Sequence, residues 1–90
     1  MTGLILPSPS DPPAHDVDEQ LELLRVARVE LAHAIARLER VSVWSRDPML
    51  TVAERMKLRI ARDNRVDAVR RWSDEVVAIE DRLRKMGLHP

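Results

Sequence analysis

The stretch Arg59-Ile-Ala-Arg-Asp-Asn-Arg-Val-Asp-Ala-Val-Arg-Arg-Trp72 decides how this chain folds. Apolar residues recur at helical spacing on both sides of it, whereas its own middle is arginine, aspartate and asparagine. With residues placed about 100° apart around an ideal helix, Val69, Trp72, Val76, Ile79, Leu83 and Met86 fall on one side, in alternating steps of three and four. Met49, Val52, Ala53, Met56 and Ile60 form a second cluster, roughly 160° away on the same construction. This spacing predicts that the buried face changes sides within 59–72. Either the helix breaks near Asp63-Asn64 and a third helix begins, with one of these residues as its cap, or it runs on and offers its first half to a different chain. No Gly or Pro marks a stop, and Ala, Arg and Leu are good helix formers, so the reading adopted is a continuous helix.

Upstream, Ser45-Arg46-Asp47-Pro48 breaks the pattern. Asp47 followed by proline reads as an N-cap with proline at the first helical position, and Thr51-Val-Ala-Glu54 reads as a capping box one turn later. Before the break, Val17, Leu21, Leu24, Leu31, Ile35 and Leu38 predict a first helix whose stripe is widened by Ala27, Ala34 and Val41. Asp16 is its expected N-cap, and Asp18, Glu19 and Glu22 place negative charge where the helix dipole favours it. At the other end, Gly87, Leu88 and Pro90 follow Arg84 and Lys85 as a helix stop. The expected organisation is an arm over 1–16, a hairpin over 17–86 (helix 17–43, loop 44–48, helix 49–86) and a cap or tail over 87–90. The fold class is all-α: an antiparallel helical hairpin suited to coiled-coil or bundle-like association.

The arm carries Pro7, Pro9, Pro12 and Pro13 with Ser8, Ser10 and Asp11 between them, which excludes regular helix and favours extended chain. Leu4, Ile5 and Leu6 are its one apolar spot, and they are the expected anchor on another subunit.

Composition limits the chemistry. The chain has 90 residues, no Cys, no Phe, no Tyr and two Trp. The core must be aliphatic, and disulfides and thiolate metal sites are excluded. No apolar run approaches the roughly 20 residues of a membrane span, and the start lacks a secretory pattern, so a cytoplasmic setting is expected, or a virion if the chain is phage-encoded. Net charge is zero. Residues 1–47 hold eight acids and five bases, residues 48–90 seven acids and ten bases, an asymmetry that favours association of the halves within or between chains.

Catalytic machinery is not expected. Glu30 and His33 have the Glu-x-x-His spacing of a bundle metal site, but His33 lies opposite Leu31, Ile35 and Leu38. His15 and His89 join no cluster, the only glycines are Gly3 and Gly87, and Asp18/Glu19 and Glu80/Asp81 read as solvated faces. No enzyme activity, cofactor or metal is therefore expected.

A short helical hairpin with no disulfide needs association to stabilise it, a homodimer forming a four-helix bundle being the simplest form. The expected function is a protein–protein interaction subunit that self-associates or docks into a larger assembly. Its intramolecular or coiled-coil seam would be Val69, Trp72, Val76, Ile79 and Leu83, and its partner surface Met49, Val52, Met56 and Ile60. At the level of architecture alone, a small helical subunit with an extended arm resembles phage virion components. The alternative is an arginine-rich nucleic-acid-binding or regulatory protein that uses Arg55, Arg59 and Arg62 on one flank of the second helix.

Overall fold

The computed structural model describes residues 14–89. Two helices, α1 (Ala14–Trp44) and α2 (Val52–Lys85), pack against each other as an antiparallel hairpin; among the described residues there is no strand. The anchor Leu4, Ile5 and Leu6 and most of the expected arm lie outside the described residues. Helix α1 starts at Ala14, directly after the proline pair, so Asp16 is not the N-cap: it sits inside the first turn, where the dipole still favours its charge.

The loop is longer than 44–48, because Thr51 and not Asp47 starts α2. The Thr51 hydroxyl accepts from the Glu54 amide at 3.1 Å, and the Glu54 carboxylate accepts from the Thr51 amide at 3.1 Å, a complete capping box. Met49 is therefore in the loop and Val52 is the first residue of α2. Asp47 shapes the turn instead: its carboxylate accepts from the Met49 amide at 2.9 Å. At the far end Gly87 takes φ +87°, its amide donates to Arg84 O, and the Leu88 amide donates to Leu83 O at 3.0 Å. This pair of bonds is a Schellman motif, and it folds Leu88 back onto the core.

Helix α2 is continuous through Asp63-Asn64, so no third helix forms. Nor does it change the face it turns to α1. Its buried and half-buried positions include a seam of Leu58, Ala61, Arg65, Val69, Trp72, Val76, Ile79, Leu83 and Met86, with Val66, Ala68, Ser73 and Glu80 half-buried along its flanks. The steps alternate between three and four except at 61-65-69, where two steps of four follow each other. A 4-4 step is a stutter, which locally unwinds a coiled coil without interrupting it. The polar stretch is thus a change of register within one seam. The expected face change rested on Met49 to Ile60, a separate stripe that stays outside.

The seam of α1 also differs from expectation. Positions 17, 20, 24, 27, 31, 34, 38 and 41 are buried or half-buried, a heptad pattern in which Ala27, Ala34 and Val41 lie at the centre. Leu21 and Ile35 flank it and are exposed. The cause is packing distance: alanine in the seam lets the two backbones approach, and the larger side chains are displaced to the edges.

The best-filled part of the interior lies toward the open end, where Leu24, Ala27, Ile79 and Leu83 are buried with Trp72, Val76, Met86 and Leu88 packed against them. Arg28 to Glu80 (3.1 Å) and Arg82 to Gln20 (3.0 Å) tie the helices together at its surface. Toward the loop the seam is thinner, with Ala61 and the arginine Arg65 across from the second half of α1.

Candidate functional site

Two features of the loop half could serve a partner. The first is the outer stripe of α2 together with the loop. Met49 is 85% exposed, Val52 76%, and Met56 and Ile60 61% each. Met56 and Ile60 are one helical turn apart, so with Val52 they form a continuous apolar ridge on the side of α2 that faces away from α1. The ridge stops at Asp63, Asn64 and Asp67, which take the same face further along and are exposed. It is local to the first turns of α2, unlike the seam, and nothing in the hairpin covers it.

Beside the loop lies an open groove of about 660 Å³ walled by Val43, Trp44, Leu50 and Leu58, with Glu54 and Lys57 at its rim. Trp44 is 56% exposed there. This groove was not apparent in the sequence, because its walls come from the end of α1, the loop and the start of α2. The visible signal was limited to Trp44, whose heading departs from the main α1 stripe.

The second feature is basic. Arg55, Arg59 and Arg62 line a shallow depression of about 180 Å³ with Ser45 and Leu50. All three are exposed, and none makes an ion pair among the described residues. The expected arginine flank is therefore brought together as one surface. Arg65, two residues away from Asp63, is not part of it: its guanidinium reaches across to α1 and donates to Arg37 O at 2.7 Å.

The remaining residues singled out from the sequence divide clearly. Ile79 and Leu83 are buried in the hairpin interior, and Val69, Trp72 and Val76 are half-buried along the same seam, so these five meet α1 of their own chain. His33 is exposed on the back of α1 beside Arg37 and Arg40. Among the described residues no group of three His, Cys, Asp or Glu side chains could hold a metal, and no helix is long and apolar enough to cross a membrane. Glu22 and Arg25 pair on the surface of α1, 2.6 Å apart; the hydrogen bond from Arg25 holds the Glu22 carboxyl below its ordinary value. It is remote from both features.

Comparison with family models, curated proteins and solved structures finds no match to this chain, so the reading of these surfaces rests on their geometry.

Proposed function

We propose that this hairpin is a non-enzymatic protein–protein interaction subunit that self-associates or docks into a larger assembly, with the ridge Met49, Val52, Met56 and Ile60 as its contact surface. The observation behind this reading is that the ridge is exposed on a helix whose opposite side is already occupied by α1. Three large apolar side chains along one solvent-facing helix face, with Met49 exposed in the loop before it, are the signature of an interaction site, since burying each contributes about 1.5–3 kcal/mol. The thin interior supports the same conclusion: a two-helix hairpin buries little apolar surface, and covering the ridge adds to it. A cytoplasmic setting, or a virion if the chain is phage-encoded, fits a structural subunit of this kind.

Light scattering on the purified chain tests the reading. The expected result is a dimer or larger species that Ile60→Asp converts to monomer while helicity is retained. A wild-type chain that stays monomeric at high micromolar concentration and captures no partner through the ridge would end it.

The basic surface favours a second reading, a nucleic-acid-binding or regulatory role, because three arginines with no ion pair in the hairpin share one depression. It predicts binding of generic duplex DNA at low salt with affinity falling steeply as salt rises, and Arg55→Glu, Arg59→Glu and Arg62→Glu should each weaken it. No binding at low salt removes this reading.

A further inference from the structure

A second groove, of about 350 Å³, opens between the helices toward the open end of the hairpin, walled by Leu23, Val26, Trp72 and Ile79 with Arg71 and Glu75 at its edge. Ile79 forms its floor and is buried, whereas Leu23 and Val26 on its wall are exposed and Trp72 is half-buried. The groove and the end of the ridge share one flank of α2. Steps of four residues advance about 40° around a helix, so the ridge winds toward that flank as it runs from Val52 through Met56 to Ile60. Ile60 ends about 20° from the heading of Arg71 on the groove edge. Lys57 lies about five full turns from Glu75, and so on the same heading.

Charge says what fits there. The hydrogen bonds Arg82 to Gln20 and Arg65 to Arg37 give the helix register, which sets Ala32 level with Arg70. The loop half of the hairpin, 33–69, holds five acids and eight bases; the open half, 14–32 with 70–89, holds nine acids and seven bases. The loop half is therefore +3 and the open half −2, with His neutral. The ridge sits in the positive half and the groove in the negative half, so a second copy running antiparallel brings unlike ends together. Register sharpens the match. With Ile60 of one chain level with Trp72 of an antiparallel copy, the two-fold axis passes near Val66, and Lys57 comes level with Glu75 of that copy. Lys57 makes no ion pair among the described residues, and Glu75 stands 3.9 Å from Arg82. Val66 is close to the middle of α2, so the two hairpins overlap along most of their length and the ridge-to-groove contact is made twice. Ridge set on ridge achieves neither: antiparallel copies then overlap at their loop ends alone, and parallel copies bring like-charged halves together.

We infer that the groove receives the Ile60 end of the ridge of a second copy, laid antiparallel about a two-fold axis near Val66, with Lys57 of each chain facing Glu75 of the other. This rests on the reading of the ridge as a self-association surface, and it adds which surface the ridge meets and in which direction the copies run.

The chain has no cysteine, so introduced ones report the arrangement directly. Ala53 and Ala78 are exposed, lie within about 20° of one heading, and come level with each other between the antiparallel copies. Full-length Ala53→Cys and Ala78→Cys chains, unfolded and refolded together and then mildly oxidised, should give a covalent dimer. Neither variant alone should link, because like positions lie more than about 35 Å apart in this pair. Lys57→Glu should raise the dissociation constant of the dimer about tenfold at low salt, and Lys57→Glu/Glu75→Lys should restore it. A dimer that Ala53→Cys links by itself would overturn the antiparallel register while leaving the ridge as the contact surface. So would a dimer that the mixed chains fail to link. Equal dissociation constants for the wild type and Lys57→Glu would remove the facing charge pair and with it the register. A wild-type chain that is monomeric in light scattering would sink the pairing together with self-association through the ridge.

Discussion

The Arg65 guanidinium donates a 2.7 Å hydrogen bond to the backbone carbonyl of Arg37, from a seam position that a coiled coil would normally give to an aliphatic residue. The bond spans the two helices at the stutter. The arginine stem fills the seam while its head group finds an acceptor, so a charged residue is accommodated without being buried unpaired. Arg65→Ala loses both the stem packing and a charge-assisted bond, and should lower unfolding free energy by about 1–2 kcal/mol. Urea denaturation followed by circular dichroism measures it, and a change within error would show the bond to be incidental.

The capping box makes a separable contribution. Thr51→Ala removes the acceptor for the Glu54 amide and should cost about 1 kcal/mol. In a chain of this length that is a drop in Tm of about 4–8 °C. Asp47→Ala, which loses a loop bond and no helix cap, should cost less in the same thermal scan.

The C-terminal stop predicts a purely conformational cost at Gly87. An added Cβ would meet nothing within 4 Å, so the space is open, but φ is +87°. Gly87→Ala should therefore destabilise by about 1 kcal/mol through backbone strain alone. Gly87→Asn should recover part of that, because asparagine tolerates this region better; equal melting temperatures for the two variants would contradict the argument.

Interior and ridge should respond oppositely to truncation. Leu83 is fully buried, and Leu83→Ala should cost about 2–5 kcal/mol in stability, enough to unfold a domain this small. Ile60→Ala removes a side chain that is 61% exposed, and should change the unfolding of an isolated hairpin by less than about 0.5 kcal/mol. If the ridge is the association surface, the cost of Ile60→Ala appears in a concentration-dependent Tm, which differential scanning at two protein concentrations would show.

One acid-range effect has a definite sign. The hydrogen bond from Arg25 lowers the Glu22 pKa below the ordinary 4.5. The folded state therefore holds this proton less tightly than the unfolded chain does. The contribution to stability is present in full above the unfolded value, and it fades as pH falls through the lower folded one. Both side chains are exposed, so the effect is small. Carboxyl NMR titration should place Glu22 below the ordinary glutamate value, and Arg25→Gln should raise it back toward that value.

Both helices were legible in the sequence, because what specifies them is local. Val17 to Val41 and Val69 to Met86 carry an apolar repeat at helical spacing, the Thr51–Glu54 box marks a start, and Gly87 with Leu88 marks a stop. Each of these signals acts within a turn or two of chain. The exposed ridge could also be read, since Met56 and Ile60 lie opposite Val69 and Ile79 on any helical wheel. Which of several neighbouring stripes would face the other helix was not legible. Leu21 and Ile35 are as apolar as Ala27 and Ala34, or more so, and lie on adjacent headings, yet the alanines hold the seam. Arg65 likewise takes a half-buried seam position while the apolar ridge residues stay outside. Close packing of two helices selects for side-chain size and backbone separation across the interface, quantities that belong to the pair and not to either sequence segment. The two grooves at Trp44 and Trp72 follow from the same cause. Each is walled by residues far apart in the chain, so the amino-acid order specified the helices, while the way they lie against each other determined the surfaces a partner would meet.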